Sequence, residues 1–140
     1  MIETYMSGET NLRLLLANLR PRLAGQFIFC SIPDHLVAKR EIQAIATFRE
    51  REGTTLVLEK DAAEKAGLGG SMQTLITLDV HSSLEAVGLI AAVTSALADA
   101  GISVNVFSGF HHDHLFVPAS REAEAMSILK ELSARHTGGQ

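Results

Sequence analysis

Residues 74–118, TLITLDVHSSLEAVGLIAAVTSALADAGISVNVFSGFHHDHLFVP, decide the fold of this chain. Alternating apolar side chains over 74–80 predict a strand with one apolar face. Apolar residues at three- and four-residue spacing from about 84 to 99 predict a helix that ends at a glycine. Two further strands follow at 102–110 and 114–118, joined by a polar hairpin. The predicted order is therefore strand, loop, helix, strand, hairpin, strand.

Similar elements lie on both sides of this stretch. The patterns predict, in chain order, a short amphipathic helix within 10–20, a buried strand at 26–32, a short helix at 35–42, strands at 44–50 and 54–59, and helices after Asp61 and Ser120. The glycine-rich segment 67–71 is the best candidate for a linker.

The two predicted hairpins form a weak internal repeat with an offset of 59 residues, which relates Phe48 to Phe107. The strands that begin the two halves are only 48 residues apart, so the first half has a shorter crossover. A split βαβ unit used twice predicts an α+β fold of two ferredoxin-like βαββαβ halves with an antiparallel sheet. Because such crossovers are right-handed, we expect the helices on one face of the sheet. The first half, 8–70, is predicted to be degenerate, and the second half spans 71–135.

Composition argues against several classes of function. The chain has 140 residues, a net charge of −4 and scattered basic residues, so we expect no nucleic-acid partner and no membrane partner. No stretch is apolar enough to span a bilayer. The single cysteine, Cys30, permits no disulfide within the chain. The N-terminal residues lack the basic start and apolar middle of a signal peptide, and we therefore expect a cytoplasmic protein.

The polar loop at 81–88, HSSLEAVG, is the first candidate site. A helix N-terminus beside a sheet edge suits a small anion or carboxylate, and Gly88 permits the close approach of a ligand. The alternative is structural, because Ser82 to Glu85 matches the capping-box pattern, which needs no ligand. Asn105 is a further candidate, since asparagine is disfavoured in the middle of a strand. It either binds a ligand or faces water.

The histidine cluster His111–His114 allows an enzymatic alternative. His112 and His114 would project to one side of a strand, a spacing that binds metal ions in some proteins. Histidines at a hairpin tip are often only exposed polar residues, and the sequence has no second cluster of ligand residues. A serine hydrolase built on the loop at 81–83 is disfavoured, because the chain has no nucleophile elbow. We therefore expect no metal site, no cofactor and no catalytic residue.

The segment LDVHSSLEAVGLIAAVTSALADAGISVNV resembles the strand–loop–helix–strand opening of an ACT domain, the small-molecule regulatory module of aspartate kinases and related enzymes. ATFREREGTTLVL and HHDHLFVP extend this resemblance over nearly the whole chain. The chain is similar to stand-alone tandem ACT proteins close to the regulatory region of aspartate kinase. It departs from the family pattern at Val87, where a proline is usual, and in a longer loop at 81–84.

The resemblance implies a non-enzymatic regulatory protein that binds an amino acid or another small carboxylate and has a metabolic enzyme as its regulated partner. The exposed sheet edges expected of two small halves predict a homodimer. The implied ligand-binding residues are His81, Ser82, Ser83, Leu84, Glu85, Ala86, Val87, Gly88, Asn105 and Asp113. Two alternatives stay open. One is a structural protein-interaction module without a ligand, and the other is a metal-dependent enzyme that uses the His111–His114 cluster.

Overall fold

The computed structural model describes residues 8–37 and 42–137. Its helices are α1 (Leu12–Ala17), α2 (Asp34–Val37), α3 (Lys60–Ala66), α4 (Leu89–Asp99) and α5 (Glu122–Thr137). Its strands are β1 (Pro21–Ile32), β2 (Ala46–Arg49), β3 (Thr54–Glu59), β4 (Ser71–Leu78), β5 (Asn105–Ser108) and β6 (Asp113–Pro118). These elements divide into two compact units, and β1 and β4 contribute residues to both.

One unit comprises residues 8–24 and 75–137. In it α1 and α4 both pack against α5, and Ser133 Oγ donates a hydrogen bond of 3.0 Å to the carbonyl of Ala17. Leu15 and Leu16 of α1 and Leu19 just beyond it are buried, whereas Leu12 and Leu14 are exposed at 37% and 43%. The buried core of the unit is Leu15, Leu16, Leu19, Ile76, Leu78, Leu89, Val93, Leu97, Ile102, Leu115, Val117, Ala125, Leu129 and Leu132.

The other unit comprises residues 25–74. Strand β3 lies between β1 and β2, and both pairings are antiparallel. Helix α3 ends at Gly67, which adopts the left-handed conformation with φ 69° that favours glycine. The buried core of this unit is smaller and consists of Ile28, Ile32, Leu56, Leu58 and Ala63.

The internal repeat is confirmed in the register of the two hairpins. Ala46 pairs with Val57 in the first hairpin, and Asn105 pairs with Phe116 in the second, so both partners are displaced by 59 residues. Over the described residues, the elements between the strands differ in length, since α2 has 4 residues and α4 has 11. Two ferredoxin-like halves, the first with reduced helices, are therefore present as predicted. The expected boundary between residues 70 and 71 stays a prediction.

The structure differs from the prediction mainly at the ends of elements. Strand β1 begins at Pro21, earlier than the expected residue 26, and α4 begins at Leu89 rather than near 84. The predicted helix at 35–42 is present only as α2, and residues 38–41 lie outside the described residues. Within the described ranges, no helix has both the length and the apolar character needed to cross a membrane.

Candidate functional site

A cavity of about 220 Å³ opens in the unit formed by 8–24 and 75–137. We call it the loop cavity, because most of its lining belongs to the loop between β4 and α4 and to the first turn of α4. Its lining residues are Ser82, Ser83, Leu84, Ala86, Gly88, Leu89, Ile90, Ala91, Ser108 and Asp113. The volume far exceeds what a single water molecule needs, and the lining mixes hydroxyl, carboxylate and apolar groups.

A buried polar pair forms one wall of the loop cavity. Ser82 Oγ donates a hydrogen bond of 3.0 Å to Oδ2 of Asp113. The two residues are only 7% and 6% exposed. Among the described residues no group donates to the other carboxylate oxygen, Oδ1. A carboxylate that is removed from bulk water and half-paired is a strong acceptor for a cationic donor.

The N-terminus of α4 supplies hydrogen-bond donors to the lining, in contrast to the acceptor carboxylate of Asp113. Gly88 is the N-cap residue, with φ 98°, and no side chain caps the helix there. The first intrahelical hydrogen bond runs from the amide of Ala92 to the carbonyl of Gly88, at 2.9 Å. The amides of Leu89, Ile90 and Ala91 precede it and have no intrahelical acceptor. They present N–H donors and the positive end of the helix dipole.

The segment before α1 holds the loop in place. Glu9 donates its backbone amide to the carbonyl of His81 at 3.0 Å and accepts at its carbonyl from the amide of Ser83 at 2.9 Å. A Cβ atom at Gly8 would lie 2.5–2.7 Å from backbone atoms of 81–83, so only glycine fits this approach. The loop backbone is therefore fixed on both sides of Ser82.

The structure brings six of the ten predicted residues into the lining of the loop cavity and leaves four outside. Those inside are Ser82, Ser83, Leu84, Ala86, Gly88 and Asp113. Those outside are His81, Glu85, Val87 and Asn105. Val87 is 83% exposed, and Asn105 is exposed on β5. The assignment of all ten as ligand-binding stays a prediction.

Sequence reasoning missed four lining residues, Leu89, Ile90, Ala91 and Ser108. The first three were placed inside a helix, because α4 was expected to begin five residues earlier. Ser108 could have been found from the hairpin, since it pairs with Asp113 in the β5–β6 register. A residue opposite a buried carboxylate across a hairpin is a neighbour of that carboxylate.

The capping-box interpretation of Ser82 to Glu85 is wrong. Helix α4 starts at Leu89, so neither serine is its N-cap. Ser83 Oγ instead accepts a hydrogen bond of 3.0 Å from the amide of Glu85, within a local turn of the loop. The two serines therefore differ in role, with Ser82 bound to Asp113 and Ser83 closing the turn.

A second cavity, of about 250 Å³, shares Ser83 and Leu84 with the loop cavity. We call it the outer cavity. It is also lined by Gly8, Glu85 and Phe110. Leu84 and Phe110 are 62% and 45% exposed, so this depression is open to solvent. Glu85, outside the loop cavity, lies here.

The histidines gather beside the loop but do not form a metal centre. The rings of His81 and His111 lie 5.4 Å apart, and those of His112 and His114 lie 6.5 Å apart. Within the described ranges, no three His, Cys, Asp or Glu side chains are placed to hold one ion. Thr77 Oγ1 is 3.0 Å from Nδ1 of His114. Burial is the main cause that lowers the pKa of His114.

An ion pair joins Arg22 of β1 to Asp79, which directly follows β4. Arg22 donates to both carboxylate oxygens of Asp79, at 2.9 and 3.2 Å. This guanidinium lowers the pKa of the Asp79 carboxyl. The pair is solvent-exposed and contributes little to stability.

Two small ferredoxin-like halves in tandem, with an open loop between strand and helix, define a class of regulatory ligand-binding domains. Family models of ACT domains match residues 7–74 and 71–131. The chain belongs to the ACT-domain family and carries two such domains in tandem. Proteins of this family are regulatory modules that bind small ligands. No curated protein matches the chain.

Solved structures support this assignment. A Vibrio cholerae protein of unknown function, described as a possible transport protein, is 47% identical, with a TM-score of 0.74; the match covers 84% of this chain and 92% of that one. A protein from Agrobacterium tumefaciens is 17% identical with a TM-score of 0.58, covering 81% and 87%. The regulatory subunit of aspartate kinase from Thermus flavus is 15% identical with a TM-score of 0.57, covering 80% and 95%. The last two show a shared fold.

Proposed function

We propose that the protein is a regulatory sensor whose ligand is an amino acid or a similar small carboxylate with an amino group. The observation that carries this proposal is the loop cavity, where a buried carboxylate and an uncapped helix N-terminus share one lining. A zwitterionic amino acid has an ammonium group for the buried carboxylate and a carboxylate group for the helix N-terminus. Membership of the ACT family supports a regulatory rather than a catalytic role.

The ligand carboxylate binds the amides at the start of α4. Leu89, Ile90 and Ala91 line the cavity, and their N–H groups have no partner inside the helix. A charge-assisted hydrogen bond to such an amide contributes about 1.5–3 kcal/mol, and the helix dipole adds to it. Gly88 has no side chain to screen these amides from the ligand.

The ligand ammonium binds Asp113. Asp113 lines the cavity, and the hydrogen bond from Ser82 to Oδ2 holds its carboxylate in one orientation. An ammonium has three donors and matches a half-paired carboxylate. Asn105, expected to serve the same end, lies outside this lining.

We further propose that the protein acts as a homodimer in the cytoplasm and passes the ligand signal to a metabolic enzyme. The fold shared with regulatory subunits of aspartate kinase supports a partner enzyme. Exposed aromatic side chains on β2 and β5 support self-association. The free thiol of Cys30 suits a reducing compartment.

A thermal-shift screen with the twenty amino acids, followed by calorimetry, tests the proposed site. A ligand at 100 times its Kd should stabilise the protein by about 2.7 kcal/mol. Gly88→Val should abolish binding, because its Cβ would already lie 3.1 Å from Leu12 Cδ2 and its methyl groups would cover the amides. Gly69→Val is the matched control, because a Cβ atom at Gly69 meets nothing within 4 Å, and it should leave Kd unchanged. If no amino acid binds, the structural interaction module becomes the better interpretation.

A further inference from the structure

The charges of the loop cavity are asymmetric. Its lining, all of it within the described residues, contains one carboxylate, Asp113, and no lysine, arginine or histidine side chain. The nearby guanidinium of Arg22 is held by both oxygens of Asp79. Negative groups on a ligand are therefore met only by uncharged donors, namely the backbone amides at the start of α4 and serine hydroxyls. One carboxylate can be bound there, but a second one has no cation to pair with.

The remaining lining is small and apolar. Leu84, Ala86 and Ile90 contribute hydrocarbon surface, and the cavity volume of about 220 Å³ is below the roughly 300 Å³ at which pockets for drug-sized ligands begin. The hydroxyl of Ser82 donates to Asp113, whereas that of Ser83 accepts from the Glu85 amide and can still donate, as can that of Ser108. An acidic ligand side chain therefore meets hydroxyl donors in this lining but no cation.

We infer that the loop cavity selects amino acids with one ammonium, one carboxylate and a short uncharged side chain, and rejects dicarboxylic amino acids. This inference rests on the proposed function and specifies its ligand class. The ammonium pairs with Asp113, the carboxylate with the amides of α4, and the side chain lies against Leu84 and Ile90. In a dicarboxylic amino acid, the second carboxylate would enter a lining whose one charge is negative, and like charges repel strongly away from water.

Calorimetry with three probes tests the ligand class. Alanine contains all the proposed groups, propionate lacks the ammonium, and aspartate adds a second carboxylate. We expect alanine to bind at least tenfold more tightly than either of the other two. Equal affinity for alanine and aspartate would overturn the inferred selectivity and leave the sensor function standing. If no amino acid of any class binds, the proposed function itself fails.

A charge-neutral variant tests the role of Asp113. Asp113→Asn keeps the shape of the side chain, and we expect the preference for alanine over propionate to fall to near unity. The matched control is Asp99→Asn, which removes the same charge from the exposed C-terminal end of α4 and should keep the wild-type preference. An unchanged preference in Asp113→Asn would refute the ammonium site. Should that variant fail to fold, the comparison of the three probes on the wild-type protein still decides the selectivity.

Discussion

At the scale of single residues, the two adjacent serines of the loop show what a sequence can and cannot specify. Both carry a hydroxyl beside a predicted helix, so their pattern alone fits a cap or a ligand equally well. The structure separates them, because Ser82 donates to the buried Asp113 while Ser83 accepts from the amide of Glu85. Asp113 lies 31 residues further along the chain. The pairing of strands brings Asp113 close to Ser82, and no local sequence pattern predicts a contact between residues so far apart in the chain.

We predict that Ser82→Ala destabilises the protein by about 1–3 kcal/mol, because it leaves a buried carboxylate without its donor. Ser83→Ala removes a hydrogen bond at an exposed position and should cost about 0.5–1 kcal/mol. Urea unfolding of the two variants measures the difference in the free energy of unfolding. Equal losses in both would show that the Ser82–Asp113 hydrogen bond does not stabilise the folded state.

We predict that acid weakens the fold through His114. Burial and the charge of His112 lower the pKa of His114, and Arg22 lowers it further, while Asp113 and Asp79 act in the opposite direction. When the pH falls below the ordinary histidine pKa of about 6.5, this histidine is protonated in the unfolded chain more readily than in the folded protein. The stability due to neutral His114 is therefore complete above this pH and is lost as the pH falls below it.

Urea unfolding between pH 7.5 and 5 measures this effect. The free energy of unfolding should decline more steeply with acid in the wild-type protein than in His114→Gln. His35→Gln, which alters an exposed histidine of α2, provides the matched comparison. Identical slopes for the wild type and His114→Gln would contradict the prediction.

At the scale of elements, the hairpins were predictable and the start of α4 was not. The offset of 59 residues relates β2 to β5 and β3 to β6 in the structure as in the sequence. Strand and turn patterns are local, and because the same pattern occurs twice, each copy supports the prediction of a hairpin in the other. The sequence predicts too early a start for α4, because residues 84–88 continue the apolar spacing of the helix. Gly88 breaks that helix with a positive φ, which a periodicity does not reveal.

We predict that Gly88→Ala destabilises the protein by about 1–3 kcal/mol, since a Cβ atom strains a residue at φ 98°. The same atom would also lie 3.1 Å from Leu12 Cδ2. Gly69→Ala is the matched control, because a Cβ atom at Gly69 meets nothing within 4 Å. Thermal unfolding distinguishes the two variants, and an unaltered melting temperature in Gly88→Ala would show that the loop adjusts without strain.

At the scale of the whole molecule, one compact unit is built from two separate segments of the chain, and the segment between them forms the other unit. Helix α1 belongs to the same core as α4 and α5, although the chain between α1 and α4 includes the whole of the other unit. Its leucine stripe predicted a buried face, but a stripe does not specify what covers it. The presence of two halves could be predicted from the repeat. The assignment of α1 to a core depends on packing between distant segments.

We predict that the protein is a homodimer that pairs through its outermost strands. In the described part of the chain, β2 pairs only with β3, and β5 only with β6. Phe48 and Phe107, equivalent in the repeat, are 66% and 42% exposed on these strands. Charges on such edges block pairing, so Phe48→Lys combined with Phe107→Lys should be monomeric in sedimentation. Leu14→Lys, on a helix and 43% exposed, should remain dimeric. A wild-type monomer at high micromolar concentration would refute this prediction.

The location of the ligand is the central claim, and a ¹H–¹⁵N NMR titration of the labelled protein with alanine tests it most directly. We expect the largest shifts at the amides of Leu89, Ile90 and Ala91, with smaller ones at Ser108 and Asp113. The chemical shifts of the amides of residues 54–59, in the other unit, should not change. Saturable shifts confined to that other unit, or no shifts at millimolar alanine, would contradict a zwitterion site in the loop cavity.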